Sequence, residues 1–351
     1  MSSTPKVSVV ITSYNHAAYV RQSIQSILDQ SLQDFEIIVV DDASTDDSMS
    51  ILRGFADQRL SLEPSLRNWG VSATTNRGIR KARGRYVALQ ASDDWAFADR
   101  LRCQAEFLDN NPEISMVLSI PQLVDEGGEP LPDMPTSTKP LRLPDFSRAR
   151  LLAELFFEGN FLWPSGAMAR RELFTGSFVF DTRLTNLQDF DLFVRMLLAG
   201  HSLHVLPEKL TAYRIRDNAQ NLSAPRKDSA LRSSFEFAMI LRHYRTLTSP
   251  FFDEVFGAAI AERALPHRRS PLLHLVDLAL TQPDASHRWF ALETLHCFGL
   301  DNELLRDVSG SEDVFGSWTI GQLNARISEL ESVVARQSAA IARIKEIASQ
   351  V

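Results

Sequence analysis

The chain has 351 residues, of which 44% are hydrophobic and 23% are charged, and its formal net charge at pH 7 is −7. This composition is ordinary for a globular protein, and the length suffices for one sizeable α/β domain with a smaller appendage. The acidic balance argues against a nucleic-acid partner, which normally requires a basic face. The two cysteines, Cys103 and Cys297, lack zinc-ligand spacing, so we expect a reducing compartment without structural disulfides or zinc.

No targeting or membrane-spanning segment is evident in the sequence. Residues 1–6 lead straight into a β-branched run without the apolar core of a signal peptide. No apolar stretch reaches the ~18–20 residues that span a bilayer. We therefore expect a cytoplasmic protein, with peripheral contact at the inner face of the membrane left open.

Strands and helices alternate through the first quarter of the chain. Apolar, β-branched runs predict the strands, and apolar residues at helical spacing predict the helices between them. The predicted strands are Val7–Ile11, Phe35–Val40, Leu60–Leu62 and Tyr86–Leu89, and the predicted helices begin near Tyr19 and cover Met49–Ala56 and Ser72–Ala82. Because right-handed crossovers join parallel strands, this order predicts a mostly parallel central sheet flanked by helices.

The rest of the chain is divided by changes in pattern. A strand at Met116–Ile120 follows a helix at Asp99–Leu108, and a loop rich in Pro, Gly, Ser and Thr follows from Asp125 to Pro144. An amphipathic helix is predicted at Asp189–Leu198, ending at Gly200. Beyond it the pattern is mainly helical, so we expect an α/β domain at residues 1–225, a helical appendage at 226–315 and a coiled-coil helix at 316–351.

The coiled-coil prediction depends on an apolar seam near the C-terminus. Its members recur at spacings of three and four residues, which is typical of a heptad repeat. They are Ile320, Leu323, Ile327, Leu330, Val334, Gln337, Ile341 and Ile344. The seam predicts a homo-oligomer, and a single helix packed on its own domain is the alternative.

Two acidic pairs follow apolar strands. Asp41-Asp42 comes directly after Phe35–Val40, and Asp93-Asp94 comes shortly after Tyr86–Leu89. Carboxylates at the carboxyl ends of parallel strands lie on the ligand-binding edge of an open α/β sheet. Their oxygens suit Mg²⁺ or Mn²⁺, and such cations commonly accompany phosphate-bearing substrates. The alternative for Asp93-Asp94 is capping of a helix that begins near Trp95.

The ordered motifs resemble those of inverting family 2 glycosyltransferases with the GT-A fold. The resemblance covers roughly residues 6–225. It rests on Val7–Asn15 (VSVVITSYN), Val39–Ser44 (VVDDAS), Asn68–Gly84 (NWGVSATTNRGIRKARG), Ala91–Asp94 (ASDD), Gln188–Asp191 (QDFD) and Tyr213–Arg216 (YRIR). The sequence has neither G-x-G-x-x-G nor G-x-x-x-x-G-K-[ST]. It therefore lacks the motifs that usually indicate a dinucleotide-binding site or a P-loop.

The resemblance implies a nucleotide-sugar donor with a UDP, GDP or dTDP group, and a saccharide or lipid-linked acceptor. It implies nucleotide contacts from Thr12, Tyr14, Asp41, Asp42, Asn76, Ser92 and Asp93, and a cation held by Asp93 and Asp94. It further implies phosphate or acceptor contacts from Tyr213, Arg214, Arg216 and Trp163. Ordinary structural roles are the alternatives: a half-buried Tyr14, a solvent-facing Asn76, a basic face for the arginines and a core position for Trp163.

Inverting transfer requires a base that deprotonates the acceptor hydroxyl. Asp189 matches the second residue of the family's Glu-Asp motif and is our candidate, with a helix N-cap as its alternative. Asp191 lies two residues further on, so on a helix it points elsewhere, and we expect a surface or capping carboxylate. The scattered histidines, such as His16, are expected to be surface or packing residues.

Three positions depart from the family pattern. Ala91 stands where the first acidic residue of Asp-x-Asp is usual, Gln188 replaces the Glu before the base, and Arg216 replaces a His that can reach the metal. An arginine cannot ligate a cation, although it can bind phosphate.

The sequence therefore predicts a glycosyltransferase of the hexosyltransferase type in surface polysaccharide biosynthesis. A catalytically silent binding or scaffolding protein is the alternative, supported by the three departures and the C-terminal seam. A nucleotidyltransferase shares the sheet, but Thr12–His16 does not supply the Gly-rich basic loop that such enzymes need.

Overall fold

A computed structural model describes residues 4–132, 147–176, 178–216, 221, 227–263, 265 and 270–298. The chain forms two compact units, residues 1–291 and 292–351. The helices expected as an appendage from residue 226 onward lie, as far as residue 291, in the same unit as the sheet. The predicted coiled coil at 316–351 lies outside the described residues, so it stays a prediction. Among the residues that the structure describes, no helix is long and apolar enough to cross a membrane.

The first unit is an eight-stranded sheet with helices packed around it. The strands are β1 (Val7–Ser13), β2 (Phe35–Asp41), β3 (Leu60–Pro64), β4 (Tyr86–Ala91), β5 (Trp95–Ala96), β6 (Ile114–Val124), β7 (Met168–Arg170) and β8 (Ser202–Arg214). The helices are α1 (Val20–Leu28), α2 (Ser48–Arg53), α3 (Val71–Lys81), α4 (Arg100–Asn110), α5 (Arg148–Glu158), α6 (Gln188–Leu198), α7 (Lys227–Leu241), α8 (Ser249–Glu262), α9 (Pro271–Leu280) and α10 (Ala285–Phe298). Short 3₁₀ helices cover Arg171–Thr175 and Arg242–Thr246.

The strand order in the sheet is β3-β2-β1-β4-β7-β6-β8-β5. The four N-terminal strands are parallel, as the alternating pattern predicts. Beyond β4 the sheet is mixed, because β7 pairs antiparallel with both β4 and β6. The register places Ser13 beside Asp41 and Thr12 beside Ala91, so the ends of β2 and β4 flank the end of β1.

The main core cluster lies where α1 and α4 pack on the parallel strands. Central strands buried on both faces read as continuous apolar runs, and Val7, Val9, Ile37 and Val39 are fully buried. Helix α3 approaches the sheet closely at Gly78, where an added Cβ atom would lie 2.4 Å from Cγ1 of Val10. A side chain at that position would push the helix off the sheet.

Several elements differ from the sequence prediction. Helix α4 begins at Arg100 with Asp99 at its N-cap, and Trp95 lies in β5. The alternative that Asp93 and Asp94 cap a helix beginning near Trp95 is therefore wrong. The sequence does not predict strands β5, β7 and β8, since β5 and β7 span only two and three residues and β8 carries polar residues and one proline among its apolar ones.

Candidate active site

The carboxylates that follow β2 organise the loops around the end of β1. Asp41 accepts hydrogen bonds from the backbone N–H (2.9 Å) and the hydroxyl (2.6 Å) of Ser44. Asp42 accepts from the backbone N–H groups of Trp69 (2.9 Å) and Gly70 (2.8 Å). Both carboxylates are almost fully buried. Asp42 thus fixes the loop before α3, and Asp41 fixes the turn after its own strand.

Two residues at this edge have a left-handed backbone conformation. Asn15 has φ 53° and Ala43 has φ 62°. Such values are uncommon outside glycine, and they persist where surrounding contacts hold them. The Asn15 side chain accepts a hydrogen bond from the N–H of Thr45 (2.8 Å), and its N–H donates to the Ser44 hydroxyl (2.9 Å). The loops after β1 and β2 are therefore locked to each other.

The second acidic pair lies two strands away at the same edge. Asp93 Oδ2 lies 3.7 Å from Nε2 of His16 and 3.6 Å from Nε of Arg216. The other ring nitrogen of His16 lies 2.8 Å from the hydroxyl of Ser92. Two strand spacings of about 4.8 Å separate β2 from β4, so the pairs flank β1. His16 is half-buried beside Asp93: burial lowers its pKa, although Asp93 opposes that shift.

Asp94 is a buried carboxylate with an incomplete hydrogen-bond shell. Its Oδ1 accepts from the N–H of Arg214 at 2.9 Å. Among the described residues, neither its Oδ2 nor the Ser165 hydroxyl makes a hydrogen bond of standard geometry, although Ser165 lies close enough to lower the pKa of Asp94. Burial raises the pKa of Asp94 to about 8, and the charge of Asp93 adds to this rise. Burial and like charge disfavour the ionised form here, and a cation would reverse that preference.

The donor set fits a cation that takes the rest of its ligands from a substrate. The described residues contain no group of three or more His, Cys, Asp and Glu side chains that would hold a metal alone. Mg²⁺ is usually held by one or two carboxylates together with substrate phosphates. Asp93 and Asp94 supply two carboxylates. The buried Oδ2 of Asp94, which accepts no hydrogen bond of standard geometry among the described residues, is the atom that a bound cation would contact.

The guanidinium of Arg214 belongs to the protein interior. It donates to the carbonyl oxygens of Asp93 (2.9 Å) and Glu126, and to the side chain of Gln22 (2.7 Å). It also lies over the rings of Tyr19 and Trp95, 4.7 and 4.9 Å from their centroids. All its nitrogens are engaged, so the expected phosphate contact from Arg214 is wrong. The residue instead fixes the backbone of the acidic pair.

Other predicted residues line the same edge. Tyr14 is 42% exposed, which leaves its ring available for stacking. The carbonyl of Thr12 accepts from the N–H of Ser92 at 3.2 Å, which joins β1 to the segment after β4. Tyr213 and Trp163 pack edge to face with centroids 4.7 Å apart. Trp163 is therefore half-buried against Tyr213 of β8 and is not in the core, which was its alternative.

Asn76 does not reach the ligand edge, so its predicted nucleotide contact is wrong. Its side chain exchanges two hydrogen bonds with the backbone of Phe180, at 2.8 and 2.9 Å. It is 5% exposed, so the solvent-facing alternative is wrong as well. One helical turn earlier, the hydroxyl of Ser72 donates to the carbonyl of Leu184. Helix α3 thus holds the segment that leads into α6.

Asp189 is buried in the first turn of α6. The N-cap is Leu187, which makes no side-chain capping bond, so the N-cap alternative for Asp189 is wrong. Its Oδ2 accepts from the amide of Asn160 at 2.9 Å. Burial raises the pKa of Asp189 to about 6, while nearby N–H groups and Asn160 limit that rise. A carboxylate with this pKa is ionised at neutral pH yet basic enough to accept a proton.

Asp191 has a structural position in the same helix. Its carboxylate is 2.7 Å from Arg195 and 2.8 Å from Nε2 of His243. It is 3% exposed, so the expectation of a surface carboxylate is wrong. The two aspartates point to different partners, as their spacing on a helix predicts. Among the described residues, no hydrogen bond or ion pair joins Asp189 to the Asp93 cluster.

Two supporting residues were not found from the sequence. Arg100 is fully buried, and donates to the side chain of Gln90 (2.9 Å) and the carbonyl of Leu89 (2.8 Å). Burial lowers its pKa to about 10. Asn160 holds Asp189 from the loop after α5. Neither residue belongs to a motif with fixed spacing, and only the folded chain brings them to their partners.

Comparisons with known proteins agree with this architecture. The family model described as Glycosyl transferase family 2 matches residues 8–177. The protein TuaG of Bacillus subtilis (strain 168), a glycosyltransferase provisionally assigned to teichuronic acid biosynthesis, is 30% identical over 249 residues. That match covers 70% of this chain and 92% of TuaG.

Two solved structures share the fold. TarS (residues 1–349) of S. aureus in complex with UDP-GlcNAc superposes with a TM-score of 0.57 at 17% identity, covering 84% of this chain and 92% of TarS. The mannosyltransferase PcManGT of Pyrobaculum calidifontis in complex with GDP-Man and Mn²⁺ gives 0.52 at 17% identity, covering 87% and 88%. The fold is therefore that of GT-A glycosyltransferases, and the family match together with TuaG shows that this chain belongs to glycosyltransferase family 2.

Proposed function

We propose that this chain transfers a hexose, with inversion, from a nucleoside-diphosphate sugar to a saccharide or lipid-linked acceptor in surface polysaccharide assembly. The observation that carries the proposal is the placement of Asp41-Asp42 and Asp93-Asp94 on either side of β1, at the carboxyl edge of the sheet. The complexes of TarS with UDP-GlcNAc and of PcManGT with GDP-Man support a nucleotide-sugar donor. The assignment of TuaG supports the polysaccharide role.

The nucleoside occupies the side of β1 nearest β2 in this proposal. The exposed ring of Tyr14 stacks on the base, and Thr12 provides a polar contact. Ser92, fully buried and 2.8 Å from His16, does not reach the nucleotide directly, so its predicted contact is wrong. Asp41, whose two oxygens each accept one hydrogen bond from Ser44, accepts a further hydrogen bond from the base. Asp42 acts through the loop at Trp69 and Gly70, which it fixes.

Asp93 and Asp94 would hold Mg²⁺ or Mn²⁺ next to the diphosphate of the donor. A cation there stabilises the negative charge that builds on the departing nucleoside diphosphate. The Mn²⁺ in the PcManGT complex supports this assignment. Arg216, 3.6 Å from Asp93, supplies a further positive charge toward the phosphates, with Tyr213 beside it.

Asp189 acts as the base. Its carboxylate accepts the proton of the acceptor hydroxyl while that oxygen bonds to the anomeric carbon from the face opposite the leaving group. The bond to the nucleoside diphosphate breaks as the new glycosidic bond forms, so configuration inverts. Asn160 keeps the carboxylate oriented, and Trp163 packs against the acceptor.

The C-terminal seam supports a homo-oligomer, because its apolar residues recur at heptad spacing. Truncation after Gly316 is expected to lower the oligomeric mass in light scattering by more than the deleted residues account for. A loss no larger than the deleted mass would contradict this. The cytoplasmic location and peripheral contact with a membrane surface belong to the same proposal.

Release of nucleoside diphosphate tests the function. Purified protein with UDP-GlcNAc, UDP-glucose, GDP-mannose or a dTDP-sugar, MnCl₂ and an oligosaccharide panel is expected to release UDP, GDP or dTDP from at least one donor. Asp189→Asn should abolish release and leave donor binding intact, whereas Asp253→Asn on the exposed face of α8 should behave as wild type. Failure of every donor to bind would favour the silent scaffolding protein.

A further inference from the structure

The segment before α6 is held by one carboxylate from α7. Glu236 Oε1 accepts from the N–H of Thr185 at 2.9 Å, and its Oε2 accepts from the N–H groups of Asn186 (2.9 Å) and Leu187 (2.8 Å). Glu236 is 2% exposed. Three successive backbone donors therefore converge on a buried anion directly before the helix that carries Asp189.

This contact supports the N-terminus of α6 from outside the helix, through the backbone N–H groups of residues 185–187. The first N–H groups of a helix have no partner within the helix, and an N-cap side chain normally satisfies one of them. Leu187 occupies the N-cap and has no such group. Glu236 satisfies the donors just before and at this position, and its negative charge lies at the positive end of the helix dipole.

Helix α7 also contacts the loop that orients Asp189. The ring of Phe237, next to Glu236, packs against Phe190 with centroids 5.4 Å apart. The same ring lies 3.8 Å from where a Cβ atom of Gly159 would be. Gly159 precedes Asn160, which donates to Asp189. One turn of α7 therefore packs against residues adjacent to Asp189 and adjacent to Asn160.

We propose that Glu236 is a positioning residue for the base, fixing the start of α6 and supplying the negative charge that Gln188 lacks in the Gln188-Asp189 motif. This inference rests on the proposed role of Asp189. It places the support for the base in α7, beyond the residues 8–177 that the family model matches.

The charges around Asp189 agree with this role. Burial opposes the ionised form of Glu236, but the N–H groups of residues 185–187 and Arg232 hold its pKa below the ordinary value. Its charge adds to the rise that burial causes in the pKa of Asp189. On α6 itself, Asp191 is paired with Arg195 and with His243 from the following 3₁₀ helix. The charge of Glu236 on α7 thus acts on the base, and Arg232 Nε lies 3.1 Å from Glu236 Oε1.

The test is Glu236→Gln, with Glu254→Gln on the exposed face of α8 as the matched control. Titration of Asp189 is followed by carbon-13 carboxyl NMR, its signal being assigned by its loss in Asp189→Asn. In Glu236→Gln we expect the pKa of Asp189 to fall by about half a unit or more. We expect kcat for donor turnover to fall about tenfold or more with KM for the donor unchanged, and the control to match wild type.

Two results separate this inference from the proposed function. Full turnover in Asp189→Asn would remove the base assignment, whatever Glu236 does. An inactive Asp189→Asn together with wild-type titration and kcat in Glu236→Gln would overturn the role of Glu236 alone. If Glu236→Gln does not fold, Arg232→Gln takes its place: it removes the opposing charge and should raise the pKa of Asp189. An unchanged titration there would overturn the inference.

Discussion

The side-chain amide of Asn160 donates a 2.9 Å hydrogen bond to Oδ2 of Asp189, and so joins the loop after α5 to the first turn of α6. The amide favours the ionised carboxylate, whereas burial disfavours it more strongly and raises the pKa to about 6. The balance leaves a carboxylate that is charged at neutral pH and still a better proton acceptor than an exposed aspartate. Each consequence of that balance is measurable.

The first prediction concerns the pH dependence of turnover. Only ionised Asp189 accepts a proton, so kcat should be constant above pH 7 and should fall tenfold for each unit below about pH 6, which is the pKa of this carboxyl. Initial rates of nucleoside diphosphate release between pH 4.5 and pH 8.5 check this. A midpoint near the pKa of an ordinary exposed aspartate, about 3.9, would contradict it.

The second prediction concerns the free energy of unfolding of Asp189→Asn. A pKa near 6 in the folded chain, against about 3.9 unfolded, means that the folded state binds protons more tightly between these values. The buried charge therefore destabilises the fold above pH 6, and this penalty disappears below pH 4. We expect the variant to be more stable than wild type by about 2–3 kcal/mol at pH 7.5, with the difference vanishing near pH 4.

Urea unfolding at both pH values measures this difference. Asp253→Asn, an exposed change of the same type, provides the control and should show no pH-dependent gain. A variant that is inactive but less stable than wild type at pH 7.5 would mean that the carboxylate contributes more to the fold than its burial costs.

Asn76→Ala separates a structural role from a nucleotide contact. It removes two buried hydrogen bonds to the backbone of Phe180, and the groups left without partners should lower the free energy of unfolding by about 2–4 kcal/mol. Nucleoside diphosphate affinity, measured by calorimetry at a temperature where the variant is folded, should stay within twofold of wild type. A tenfold loss of affinity at full stability would return Asn76 to the binding site.

Lysine substitutions at the two arginines of the YRIR motif, Arg214 and Arg216, should have different effects on stability. Arg214→Lys loses several hydrogen bonds and the stacking between Tyr19 and Trp95, so we expect a loss of stability of about 2–4 kcal/mol. Arg216→Lys keeps the charge beside Asp93, so we expect a smaller loss of stability than in Arg214→Lys, while kcat falls because lysine does not reproduce the guanidinium fork toward phosphate. Calorimetric unfolding and donor turnover measure these effects, and equal melting temperatures for the two variants would contradict the distinction.

The local sequence predicts the parallel half of the fold well, for a clear physical reason. Strands buried on both faces must be continuous apolar runs, and β1, β2 and β4 are such runs. The antiparallel half is less visible, because β7 pairs through three residues only. Its place in the sheet depends on contacts with β4 and β6 that are distant in sequence.

The candidate site shows the same limit. Motif spacing brings out Asp41, Asp93 and Asp189, since each lies at a strand or helix end. It misassigns Asn76 and Arg214, because a polar side chain in a motif can form hydrogen bonds to backbone groups instead of to a ligand. It misses partners such as Asn160, whose contact with Asp189 spans twenty-nine positions of the chain and has no local pattern.

The central claim is a nucleotide-sugar donor site whose cation is held by Asp93 and Asp94 at the carboxyl edge of the sheet. Calorimetric titration of UDP and of GDP into wild type and Asp93→Asn, with MnCl₂ and again after chelation by EDTA, tests it most directly. The account predicts that one nucleotide binds wild type at least tenfold more tightly with Mn²⁺, and that Asp93→Asn loses this gain. Binding that is equally tight in all four conditions, or no binding of either nucleotide to wild type, would contradict it.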